Sequence, residues 1–103
     1  MSVSEKKRAR IKEIGGEVTM VGEWLDLSEE DVAIIDMKIQ LGEELRILRR
    51  KKCLSQEMAA EVLHTSQGRV SKMEKGMASL DQLARSLLIL GHSREAVAKA
   101  LLK

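Results

Sequence analysis

Ser55–Gly76, reading SQEMAAEVLHTSQGRVSKMEKG, is the stretch that decides the fold. It holds two short helical patterns with about three residues between them. Each opens on a residue able to cap a helix, Ser55 for the first and Thr65-Ser66 for the second. Two helices joined so closely cannot stack antiparallel and must cross at a steep angle. The second therefore stands proud of the surface, where it can enter a DNA major groove. On a helical wheel Val70, Met73 and Met77 share one face, with Ser66 and Glu74 near its edges. Gly68, Ser71, Lys72 and Lys75 point the opposite way, flanked by Gln67 and Arg69. Gln can bond adenine bidentately, and Lys or Arg can bond guanine O6 and N7. A merely solvated helix face is built of the same residue types, so spacing alone leaves both readings open.

Composition narrows the class. With 103 residues the chain is one domain by length, with one modest core. Phe, Tyr and Pro are absent and Trp24 is the single aromatic. Leu, Ile, Val, Met and Ala must fill the core, which favours an all-α protein over a sandwich or barrel. Lone Cys53 excludes an internal disulfide and suits a reducing cytosol. No apolar run is long enough to span a membrane, and none follows the basic N-terminus as a signal peptide requires. The expected location is the cytoplasm. No cofactor or metal is expected, since Cys53 has no second Cys and His64 and His92 lie far apart in turns. No nucleophile motif supports a Ser/His/Asp triad, so the chain does not read as an enzyme.

Charge is distributed in blocks. Residues 1–16 are net +3, residues 17–36 net −7, residues 37–53 net +4, residues 54–79 neutral and residues 80–103 net +2. The basic blocks suit phosphate contact, and the acidic block suits solvent or a basic protein partner. Residues 1–16 read as a basic arm ending in Gly15-Gly16, with a short helix at Lys6–Ile14. Val18–Val21 is β-prone and reads as an isolated strand or as extended linker. Trp24 reads as a core or dimer-interface plug, or as a partner anchor.

Ser28 begins the first main helix, with Glu29, Glu30 and Asp31 in its first turn and Leu27 placed to staple onto Val32. Apolar residues recur at Val32, Ile35, Ile39, Leu41, Leu45 and Leu48. Gly42 permits a bend, so residues 28–52 form one helix or two. Further helices are expected over 55–63, 66–75, 79–90 and 93–102. Ser79 and Ser93 cap the last two, and Leu80, Leu83, Leu87, Leu88 and Leu90 make one apolar face. Gly91 ends that helix. Met58, Met73 and Met77 read as packing residues.

The run Leu54-Ser55-Gln56, Ala60, Leu63, Thr65-Ser66-Gln67, Val70-Ser71-Lys72-Met73-Glu74-Lys75-Gly76 resembles the XRE family, the helix-turn-helix of phage repressors and Cro. The likeness covers about residues 41–91. It implies a lambda-repressor-like five-helix domain over 28–103, with residues 1–27 as an N-terminal extension. It also implies that Gln56 contacts a phosphate and braces Gln67, and that Gln67, Gly68 and Lys72 face bases with Arg69 beside them. Thr65, Ser66 and Lys75 fall where phosphate contacts are common. Ala60 is the small residue at the helix crossing. Arg49 and Glu74 match a paired Arg and Glu that tie the first helix to the end of the recognition helix. Two positions depart from the pattern: His64 stands where the turn usually has Gly, and Gly68 where relatives carry a longer polar side chain.

Glu23–Glu30 followed by Ile35–Ile39 resembles a narrower group, the HigA-like antitoxins encoded beside RelE-type toxins. That likeness implies binding of the protein's own operator as a homodimer and neutralisation of a basic toxin, which the −7 block suits. Three readings follow: a DNA-binding repressor on a palindromic operator, an antitoxin that also binds a toxin, or a helical protein-interaction module.

Overall fold

The computed structural model describes residues 27–102. The expectations for residues 1–16, Val18–Val21 and Trp24 lie outside the described residues. Within them the chain is all-helical: α1 (Glu29–Lys51), α2 (Gln56–Val62), α3 (Gln67–Glu74), α4 (Leu80–Ile89) and α5 (Arg94–Leu101). The chain divides between Asp36 and Met37 into two units, and α2 to α5 belong to the second.

Every helix starts on a serine. The Oγ atoms of Ser28, Ser55, Ser66, Ser79 and Ser93 accept from the backbone N–H three residues on, at 3.0–3.2 Å. Such a cap contributes about 0.5–2 kcal/mol by satisfying a donor that the helix itself cannot. At Ser28 the cap is reciprocal, because its N–H donates back to Asp31 Oδ2 at 3.3 Å. Glu30, in the same first turn, has its carboxyl held below the usual value by its own backbone N–H and by the Ser28 hydroxyl.

Four helices also end alike. The carbonyls of Arg49, Ala60, Lys72 and Leu87 accept from N–H groups five residues on, at Leu54, Thr65, Met77 and His92. Inside each turn a second bond closes from Cys53, His64, Gly76 and Gly91 to the carbonyl three residues before. This double closure requires a left-handed residue just past the helix. Gly76 and Gly91 adopt it at φ 79° and 110°, and Cys53 and His64 at 57° and 54°. His64 thus takes the conformation that Gly holds most readily.

The core is built by Leu41, Leu45 and Leu48 of α1, Ala59 and Ala60 of α2, and Val70 and Met73 of α3. Leu83 and Leu87 of α4, Leu90 just after it, and Ala100 of α5 complete it. Leu54, Leu63, Leu80, Val97 and Leu101 pack around it. The small side chains at Ala59 and Ala60 let α2 and α3 pack directly on each other. Several expected packing positions are instead on the surface: Ile35, Ile39, Met58, Met77 and Leu88 are 44–65% exposed. Their spacing is helical, but the core lies to one side of that spacing. On α1 it follows Leu41, Leu45 and Leu48, and on α4 it follows Leu83 and Leu87.

Residues 29–51 form one helix, uninterrupted at Gly42. Its role is to let another element approach. A Cβ at Gly42 would stand 2.5 Å from the Met73 carbonyl oxygen and 2.9 Å from both the Glu74 oxygen and the Gly76 nitrogen. The C-terminal backbone of α3 therefore rests directly on α1. From the other side, a Cβ at Gly76 would meet the Ile39 backbone at 3.0 Å.

Gly42→Ala is expected to destabilise the protein by about 1–3 kcal/mol by overpacking, although Ala is the better helix former by roughly 1 kcal/mol. His64→Gly is expected to stabilise it by about 1 kcal/mol through relief of the left-handed strain. Urea unfolding of each variant against the parent chain reads both signs.

Candidate nucleic-acid interface

α2 and α3 are short, at 7 and 8 residues. Isolated helices of this length do not persist in water, so their position depends on neighbours. Val70 and Met73 anchor the inner face of α3 and are 0% and 2% exposed. Gln67, Gly68, Arg69, Lys72 and Lys75 are exposed, and Ser71 is half-buried. Nothing lies within 4 Å of where a Gly68 side chain would begin. The outer side of α3 thus offers an amide, three cations and one bare stretch of backbone.

A chain of hydrogen bonds holds this face. Arg49 donates through Nε to Glu74 Oε2 at 2.5 Å and through Nη2 to Glu74 Oε1 at 3.2 Å, a fork on a carboxylate. Its Nη1 donates to the Leu54 carbonyl at 2.9 Å, in the turn between α1 and α2. Gln56 Nε2 donates to Glu74 Oε1 at 3.2 Å, and Gln67 Nε2 donates to Gln56 Oε1 at 2.6 Å. One connected network therefore joins the end of α1, the start of α2 and both ends of α3. The Arg49 and Glu74 side chains are 11% and 5% exposed. At that burial both charges have lost most of their water, and the network supplies the replacement partners.

Ser66 is the N-cap of α3, so its Oγ already accepts from the Arg69 N–H at 3.2 Å, and its hydroxyl proton is left to donate outward. Thr65 and Arg69 line a cleft of about 440 Å³ with His64, Asp81, Gln82 and Arg85. Gln56 is half-buried at the junction of α2 with α3. Two features escaped sequence reading. Arg85, on α4, adds a second arginine to the cleft that holds Arg69, and only its place opposite the α4 core face signals exposure. The bond from Gln56 to Glu74 bridges 18 residues and has no local signature. Among the described residues no group of His, Cys, Asp and Glu is arranged to hold a metal.

Arg49→Met removes one partner of the buried pair and leaves the Glu74 carboxylate uncompensated. The expected loss is about 3–5 kcal/mol of folding stability, read by thermal or urea denaturation.

Comparison with known families places this geometry. A family model described as a helix-turn-helix domain matches residues 40–100, spanning most of α1 through α5. Searches of curated proteins and of solved structures give no match. No helix among the described residues is long and apolar enough to cross a membrane. With more than half of its length matched, and with α2 and α3 forming the two motif helices, the chain belongs to the DNA-binding helix-turn-helix domain family.

Proposed function

We propose that this protein is a sequence-specific transcriptional repressor of the XRE type, with α3 as its recognition helix. The observation that carries this reading is the outer face of α3. Gln67 is braced by Gln56, and Arg69, Lys72 and Lys75 remain exposed, none of the three forming an ion pair among the described residues. Gln67 and Lys72 read base edges, and Gly68 admits the close approach of the groove floor. Arg69 lies beside them. Thr65, Ser66, Lys75 and Gln56 contact phosphates, which fix register without reading sequence. The DNA-binding unit is residues 28–103, and residues 1–27 form its extension.

One α3 reaches too few base pairs for tight specific binding. The protein acts as a two-fold homodimer on a palindromic operator, with half-sites about 34–36 Å apart. The last helix and the N-terminal segment are the dimer surfaces. A second role as an antitoxin of a RelE-type toxin rests on the charge of residues 17–36, net −7, which suits a basic ribonuclease. Finding a small basic reading frame beside the gene would support that role.

The test is a gel shift with DNA from upstream of the protein's own gene. Gln67→Ala is expected to cost about 1–3 kcal/mol and relax one base position. Lys75→Ala is expected to weaken binding to all sequences alike and to lower the salt slope by about 1. If neither change matters and salt has no effect, the DNA reading is wrong.

A further inference from the structure

Glu74 sits at the far end of α3 from Gln67, and its side chain is 5% exposed, so it touches no base. The hydrogen-bond chain nonetheless carries its influence to the reading face. A carboxylate gripped by a guanidinium has only acceptors to offer. Gln56 must therefore turn its NH2 group toward Glu74, as the 3.2 Å contact shows. An amide with its nitrogen inward has its oxygen outward, and Gln56 Oε1 meets Gln67 Nε2 at 2.6 Å. Reversing either amide would set oxygen against oxygen or NH2 against NH2. The orientation of both glutamines follows from a charge beneath them.

The consequence lies in what Gln67 has left to offer. One of its two N–H donors is committed to Gln56. Its carbonyl oxygen and one N–H remain. In the major groove adenine shows an amino donor beside the N7 acceptor, and cytosine shows an amino donor. Guanine shows two acceptors, O6 and N7, and thymine shows O4. A free carbonyl with a single N–H matches adenine fully and cytosine in part, and it leaves guanine with one acceptor unmet.

We infer that Glu74 is a specificity-determining positioning residue: acting through Gln56, it orients the Gln67 amide to prefer a base with an exocyclic amino group, adenine first. This rests on the proposed base-reading role of Gln67.

The experiment selects binding sites from randomised duplex DNA with the full chain. The position whose preference disappears in Gln67→Ala is the one Gln67 reads. Affinities for adenine and guanine at that position are then compared in the wild type, Glu74→Gln and Gln56→Leu. The wild type is expected to favour adenine by about tenfold or more. Glu74→Gln keeps the shape but can donate to Gln56, so the chain can run either way. Its adenine-to-guanine ratio is expected to fall to within about twofold. Gln56→Leu, which leaves Arg49 and Glu74 paired, is expected to lose the ratio as well; any lost phosphate contact lowers both affinities and cancels. If circular dichroism shows Glu74→Gln unfolded, the double variant Arg49→Leu/Glu74→Leu replaces it, since an apolar pair often substitutes for a buried ion pair without loss of stability.

A folded Glu74 variant that keeps the wild-type ratio overturns the inference, as does a Gln56→Leu variant that keeps it. A wild type that selects no sequence overturns the DNA reading itself. A Gln67→Ala variant with unchanged preferences at every position removes Gln67 from the readers. These last two results are distinct from a failure of Glu74.

Discussion

The end of α3 lies on α1 with no side chain between them, and the placement of the exposed polar face of α3 depends on that contact. It exists because position 42 is a glycine whose missing Cβ leaves room for the Met73 and Glu74 carbonyls. Once the two backbones are that close, Arg49, two turns further along α1, falls within bonding distance of Glu74. The ion pair then has somewhere to form, and its burial is tolerable because Leu54, Gln56 and both charges supply each other's missing hydrogen bonds. Steric permission comes first and electrostatic locking follows.

Such a lock suits helices this short. The 7 residues of α2 and 8 of α3 contribute little helical cooperativity of their own. Local closures compensate: a serine accepting at each start, and a left-handed residue closing four of the five ends. These closures fix where each helix begins and stops. The core residues Val70, Met73, Leu83 and Leu87 then decide how the helices lie on one another. Because the same network that holds α3 also ends on Gln67, rigidity of the fold and orientation of the exposed amide have a common origin.

Much of the fold is legible in the residues. Serine followed by an acidic or polar first turn marks each helix start, and Gly91 marks an end. The spacing of Leu83 and Leu87 marks a buried face. Other features are not legible, for particular reasons. Ile35 and Ile39 continue an apolar period along α1, yet they are exposed, because a period shows which residues share a face and not how far a neighbour covers it. Cys53 ends α1 in a left-handed turn that sequence gives no reason to place at a cysteine. Met58 and Met77 are apolar but exposed, at 49% and 65%. In the candidate site, the exposed polar set on α3 follows from a helical wheel, whereas the pairing of Arg49 with Glu74 enters only through family resemblance.

The amino-acid sequence by itself determined the helical class, the serine-capped starts and the two faces of α3. These depend on residue preferences and spacings of three or four positions, which are local. Tertiary structure alone decided that Gly42 admits a close backbone contact, that one guanidinium binds both Glu74 and the Leu54 carbonyl, and that Gln56 faces Glu74 with its nitrogen. Apart from the five-residue reach from Arg49 to Leu54, those contacts join residues 18 to 34 positions apart. Nothing local encodes such a distance, and only the packed chain brings the partners together.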